Sequence, residues 1–391
     1  MDIVEGKKAA GGAVTYAAAV ASAFGARACV VTTAGPDADL SSIDPRHEVI
    51  VVPTDATLTF EHTYTLWGNH RKLRVPAQPG VTLTLAHVPA RCRAARVVLL
   101  GPLMPGDMDP SSFVEQAQRS WLGWLARLGQ PQLVGLMAQG LQRGLHGSNR
   151  VVAFKEPSVQ LLGALGPHTS VFLSDVETDV WKEGTTEELA RRSQRFVVTR
   201  GAAGADELTP GNSTTRHLPF PVRRWVLLPS CWRHCRGTAI WGTCHRPSCL
   251  SHAHGCSPCA VEAPRTSLPS ACCRLGKHLL LVSASFLCCA ALTSLLLLAV
   301  LQVKKVVDTN GAGDSFATAF MLALAAGHSH PAAVANWAGG VAVTQPQNCK
   351  PACVGEAIRR EWATVPPSQA ATVRALLLRV AHSLGLNASL L

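Results

Sequence analysis

The run Val306-Val307-Asp308-Thr309-Asn310-Gly311-Ala312-Gly313-Asp314-Ser315-Phe316 sets a carboxylate inside a glycine-rich turn. Two β-branched residues read as the end of a strand, and Phe316 to Ala326 reads as an apolar, alanine-rich helix. The turn therefore delivers a helix N-terminus. Glycines at 311 and 313 remove the Cβ atoms that would block a close approach, and the first-turn N–H groups have no partner within the helix. Together with the helix dipole they make an anion site, suited best to a phosphoryl group in transfer. Asp314 lies within it. A carboxylate beside phosphate is repelled, so a purely structural role would be costly there, whereas taking the proton of an attacking hydroxyl accounts for the position. The alternative is an N-cap after a glycine turn, common in any α/β protein.

The rest of the chain must position this turn. Gly11-Gly12 precedes a small-residue helix, Ala13 to Phe24, and Ala28 to Thr33 reads as a buried strand ending in Gly35-Pro36-Asp37. Glu48 to Val52, and Thr57 through Trp67 to Val75, alternate in the manner of a hairpin. Arg96 to Leu100 and Leu133 to Met137 read as strands around an amphipathic helix from Pro110 to Leu128. Strands alternating with helices predict a parallel, doubly wound sheet. Val171 to Glu177 is a strand running into acids, and Phe196 to Gly204 a strand ending in a glycine turn. Gln139-Gly140-Leu141-Gln142-Arg143 reads as a structural loop, and Pro331 to Thr344 and Val373 to Leu384 as helices.

Taken whole, Val306 to Phe316 resembles the C-terminal signature of the ribokinase, or phosphofructokinase-B (PfkB), family of small-molecule kinases. The resemblance implies a ribokinase-like three-layer α/β/α sandwich with a small β lid, here about residues 48–75. It implies Asp314 as catalytic base and Gly311, Ala312 and Gly313 as anion hole. Residues 11 to 37 are similar to the family's sugar-binding signature, which implies Gly11 and Gly12 at the substrate. Asp2 stands where the family closes its first strand with a substrate-binding Asp; that strand itself is expected to be missing. The family's Asn-x-x-Glu corresponds to Ser174 and Glu177, which implies Glu177 near Mg²⁺, a metal that keeps several waters. Thr199, Gly201 and Gly204 resemble its nucleotide segment, and Asn336 stands in a helix that the family places near adenine. No Gly-x4-Gly-Lys-Ser/Thr occurs, so a P-loop enzyme is excluded.

Composition adds a boundary. The chain has 391 residues, 47% hydrophobic and 16% charged, too apolar for a disordered chain. Its net charge of +11 invites a nucleic-acid reading, yet +7 of it belongs to Val222–Gln302. Nucleic acid is therefore not an expected partner. Ten of the fourteen cysteines fall in the same segment; Cys29, Cys92, Cys349 and Cys353 read as reduced intracellular residues. The segment shows no period of 2 or 3.6, and Leu279 to Leu301 is 23 uncharged, mostly apolar residues, long enough for a membrane span. Its single Cys-x2-Cys lacks a second half at zinc-finger spacing. A retained intron or gene-model error accounts for more. The leucine-rich end looks like a translated polypyrimidine tract, Val222 and Gln302 match splice-site triplets, and 81 residues keep the frame.

The expected organisation is a kinase domain in two parts, 1–221 and 303–391, interrupted by the insert 222–302. The expected function is an ATP- and Mg²⁺-dependent transfer of phosphoryl to a hydroxyl of a small sugar or polyol. Alternatives are a nucleoside kinase, or a catalytically impaired member acting as a binding or scaffold protein. The expected setting is cytoplasmic, with a homodimer compatible and membrane association only if 279–301 is a genuine span.

Overall fold

Strand and helix alternate along the chain because β-branched runs are separated by alanine-rich segments with one buried stripe. In the computed structural model the elements are, in chain order, β1 (Asp2–Val4), β2 (Lys7–Ala9), α1 (Ala13–Ala23), β3 (Cys29–Ala34), β4 (Glu48–Pro53), β5 (Thr59–Tyr64), β6 (Arg71–Ala77), α2 (Ala90–Arg93) and β7 (Val97–Leu100). There follow α3 (Pro110–Leu125), β8 (Leu133–Met137), a 3-10 turn (Ala138–Gln142), β9 (Arg143–His146), β10 (Arg150–Ala153), α4 (Val159–Gly163), β11 (Thr169–Ser174), α5 (Asp175–Thr178), α6 (Thr185–Arg191) and β12 (Arg195–Thr199). The last are β13 (Ala205–Leu208), β14 (Thr214–His217), α7 (Ala312–Ala325), α8 (Pro331–Ala342) and α9 (Pro351–Ala363). The structure describes residues 1–4, 6–64, 71–125, 132–211, 213–218, 309–346 and 351–363. All of them belong to one compact unit, Met1–Val222 with Leu301–Leu391. The proposed insert at 222–302, the strand before Asp308 and the helix from Val373 lie outside the described residues.

The main sheet runs β14-β13-β12-β11-β8-β7. Its β7, β8, β11 and β12 are parallel, and β13 and β14 return antiparallel. Helices cover both faces, so a central strand such as Leu133–Met137 is buried along its whole length and reads as a continuous apolar run. Alternate residues then serve opposite cores. Val134, Leu136, Val171 and Val198 meet Phe113 of α3, Leu161 of α4 and Leu189 of α6. Leu133, Met137, Phe172 and Val197 meet Phe316, Phe320 and Met321 of α7. This is the three-layer α/β/α sandwich. Phe320 and Met321 are fully buried, each contributing about 1.5–3 kcal/mol by removal from water. On its other side α7 packs against Tyr16 and Val20 of α1, Val341 of α8 and Ile358 of α9. The helix that carries Asp314 is thus held from all sides.

A second sheet, β2-β1-β5-β6-β10-β9, forms the lid. Its β5–β6 pairing confirms a hairpin, but Glu48–Pro53 is not part of it: β4 pairs in parallel with β3, from Cys29↔Glu48 to Ala34↔Pro53. Its alternating burial is what any half-covered strand shows, whichever sheet it joins. Asp2 lies in β1, parallel to β5, with Asp2 opposite Phe60. An apolar cavity of about 500 Å³ is lined by β3 and β7 together with α1 and α7. Among the described residues no strand pairs with β7 on that side. Cys29 and Cys92 form a disulfide, which corrects the expectation that both are reduced; their Cα atoms are brought to 6.1 Å although 63 residues separate them. Among the described residues no helix is long and apolar enough to cross a membrane.

Candidate active site

The helix α7 begins where the sequence places it because Gly311 can adopt φ 72°, a left-handed conformation that most residues avoid. A Cβ there would also intrude on the Tyr16 ring. The Ala312 N–H closes a turn on the Thr309 carbonyl (3.3 Å) and the Ser315 N–H bonds the Gly311 carbonyl (2.9 Å). Helix geometry leaves the N–H groups of Gly313 and Asp314 for an outside acceptor. Gly313 is exposed, and a Cβ on it would meet no atom within 4 Å. The surface at the helix start is open.

Asp314 looks into a cleft that gathers Asp2, His62, Arg143, Asn310 and Gly311. Among the described residues it accepts no hydrogen bond through its carboxylate. Burial pushes its pKa up to about 6; the nearby Arg143 opposes this and the charge of Asp2 adds to it. Opposite stands Asp2, whose Oδ1 is 3.0 Å from His62 Nε2, and which rests so closely on Gly11 that a Cβ there would collide with it. Gly12, at φ 93°, starts α1 beside the same cleft. Arg143 stands where the 3-10 turn leaves the main sheet and β9 enters the lid. Its guanidinium lies over the Phe60 ring, 5.5 Å from the centroid, and donates to the Leu103 carbonyl at 3.2 Å.

A second group of expected residues lies at the ends of β11 and β12, which run in register from Ser170↔Arg195 to Ser174↔Thr199. Ligands of open α/β sheets bind beyond such carboxyl ends. Glu177 is buried in α5; its carboxylate accepts from the Ser174 N–H (2.9 Å), the Ser174 hydroxyl and Gln139 Nε2 (3.1 Å). Three of about four acceptor positions are engaged. What is left fits an Mg²⁺ approached through water and held chiefly by phosphate oxygens. The Thr199 hydroxyl donates to the Leu173 carbonyl at 3.3 Å. Gly201 (φ 50°) and Gly204 (φ 93°) shape the following turn, which the Arg200 N–H closes on the Gly204 carbonyl at 2.8 Å. A Cβ on Gly201 would meet nothing within 4 Å, so the turn borders open space. Asn336 is buried and its Nδ2 donates to the Leu218 carbonyl at 2.9 Å, tying α8 to the exit of β14.

The structure therefore joins Asp2, Gly11, Gly12 and the turn at 311–314 in one place, and Glu177 reaches that place through Gln139, which also lines the cleft. Sequence reasoning missed His62, Tyr16 and Arg143. The only signal was the Gln139–Arg143 run, read there as a structural loop.

A family model described as "pfkB family carbohydrate kinase" matches residues 291–353. No curated protein matches the chain. Among solved structures, a pyrophosphate-dependent kinase in the ribokinase family is similar over 93% of this chain and 96% of its own, at 13% identity and a TM-score of 0.53. The pyrophosphate-dependent kinase complexed with a pyrophosphate analog and myo-inositol gives the same coverage and identity with a TM-score of 0.52. A Burkholderia thailandensis nucleoside kinase in complex with inosine covers 90% of this chain and 85% of its own, at 14% identity and a TM-score of 0.50. Identities this low carry the fold, and the family match carries the segment around the glycine turn. The chain thus has the ribokinase-like fold, and its segment 291–353 is similar to the pfkB family of carbohydrate kinases.

Proposed function

We propose that this chain transfers the γ-phosphoryl group of ATP to a hydroxyl of a small sugar or polyol. The observation that carries the reading is the Asp314 carboxylate, free of hydrogen bonds among the described residues, at the open N-terminus of α7 and facing Asp2 across one cleft. Asp314 accepts the hydroxyl proton as the acceptor oxygen attacks the γ-phosphorus. The bond from phosphorus to the β–γ bridging oxygen breaks and ADP departs. The turn Gly311-Ala312-Gly313 meets the developing charge with its N–H groups. Glu177 would help to hold an Mg²⁺ ion, which would supply charge neutralisation at the phosphates. Thr199, Gly201 and Gly204 border the nucleotide. Asp2 with His62 and Gly12 hold the acceptor; two acids facing one arginine and one histidine favour a polyhydroxylated neutral molecule over an anion. A nucleoside acceptor is the second reading, supported by the Tyr16 and Phe60 rings in the same cleft.

The test is a screen for ADP formation from ATP with sugars, polyols and nucleosides, and for orthophosphate formation in a parallel arm where pyrophosphate replaces ATP, because a similar structure is of a pyrophosphate-dependent kinase. Turnover with a polyol or sugar supports the proposal. Turnover with nucleosides alone selects the second reading, and none with any pair leaves a binding protein. We further propose that the segment 222–302 is foreign to the domain up to about residue 290, where the family match begins, since charge, cysteine content and periodicity change together across it. A protein joining Pro221 to Val303 should be monodisperse on gel filtration, and the full chain should aggregate or sediment with membranes. A soluble, active full chain beside a joined version that does not fold would reverse this assignment.

A further inference from the structure

Arg143 is the one cation that the two sheets deliver jointly to the cleft among its described lining residues. The main-sheet strand β8 ends at Met137, the 3-10 turn Ala138–Gln142 reverses the path, and Arg143 is the first residue of β9 in the lid. Only 9% of it is exposed, so its charge depends on fixed partners. Its plane rests on Phe60 of β5, and its Nη1 donates to Leu103, in the loop after β7. That loop contains Asp107, whose carboxylate accepts from the N–H groups of Leu103 (3.0 Å) and Met104 (2.8 Å) and feels the Arg143 charge. Arg143 thus touches the lid, the loop beyond the main sheet and the cleft at once.

We propose that Arg143 is the positioning residue of the site: the cation, carried by the lid strand, whose charge acts on the Asp314 carboxylate within the shared cleft and keeps the base ready. The proposal rests on Asp314 being the base and deepens that reading. Among the described residues, the charged and titratable ones that line the cleft with Asp314 are Asp2 of β1, Tyr16 of α1, His62 of β5 and Arg143 of β9, together with Met1. Asp2 raises the carboxyl and Arg143 lowers it, against the larger effect of burial. Without the arginine, burial and Asp2 act together. At neutral pH a larger share of Asp314 then carries its proton and is unable to take another.

The test does not need a known acceptor. In protein labelled with ¹³C at aspartate carboxyls, the Asp314 signal is the one lost in Asp314→Asn. It should titrate near 6 in the parent. In Arg143→Met, which keeps the stem over Phe60, it should move up by about one pH unit or more, and in Arg143→Lys it should stay close to the parent. The Arg143 Nε resonance of the parent should follow the same midpoint and lose that step in Asp314→Asn; this measurement stands even if Arg143→Met does not fold. An Asp314 midpoint unchanged in Arg143→Met, or an Nε signal indifferent to Asp314, overturns the proposal. The kinase reading fails separately, if Asp314→Asn retains the turnover of the parent with whichever acceptor the screen finds.

Discussion

The cleft around Asp314, the proposed acceptor side, and the ends of β11 and β12, the proposed donor side, use their polar groups differently. At the proposed acceptor side the Asp314 carboxylate accepts no hydrogen bond among the described residues, and its surroundings raise its pKa to about 6. At the donor side Glu177, Thr199 and Asn336 are each engaged by a neighbour: Ser174 and Gln139, Leu173, and Leu218. A half-buried carboxylate without hydrogen bonds is unfavourable for the fold, and its presence points to chemistry. Groups satisfied by their own fold hold shape, and the donor's room comes from glycines instead. The acceptor side is thus where side chains should matter most for rate, and the donor side where backbone shape should matter most.

The strongest way to break that contrast is Asp314→Asn. Turnover should fall by about 10²–10⁴ while the circular dichroism spectrum is unchanged. A few-fold loss would remove the distinction between the two sides. Gly311→Ala should come next, costing about 2–4 kcal/mol in denaturant unfolding. The new Cβ meets both the left-handed backbone and the Tyr16 ring.

Asp314→Asn should also stabilise the protein at neutral pH. Burial raises the native carboxyl to about 6 from an unfolded value of 3.8, so its favourable contribution is complete below the unfolded value and lost as pH rises through about 6. At about 1.4 kcal/mol per pH unit the gain has an upper limit of about 3 kcal/mol. Melting curves of parent and variant should differ at pH 8 and converge toward pH 4; a constant difference would mean that the carboxyl does not titrate with folding. Activity should show an acid limb near the same midpoint, falling about tenfold per pH unit below it.

The smallest effects belong to the donor side. Gly201→Ala should cost no more than about 1 kcal/mol, because space is open and only its positive φ is strained. It should raise the KM for ATP more than that for the acceptor. Asn336→Ala should destabilise by about 1 kcal/mol, through the loss of the Leu218 bond, with less than about a twofold change in the KM for ATP. A large KM effect would give Asn336 a direct part in nucleotide binding and narrow the contrast.

What the chain determines by itself is what depends on near neighbours. Gly311 to Asp314 form a helix start from their own backbone preferences, and the alternation of Leu133–Met137, α3 and Thr169–Ser174 sets a parallel sheet with helices on both faces. Tertiary structure decided what depends on distant pairings. Glu48–Pro53 has one alternation for two possible sheets, and only its pairing with β3 assigned it to the core side. Cys29 and Cys92 became partners because β3 and α2 converge. Arg143 lies 171 residues before Asp314 in sequence and entered its site only when the turn after β8 carried it into the lid. Spacing along a chain encodes local geometry, whereas which charges face each other across a cleft depends on how separate sheets are stacked.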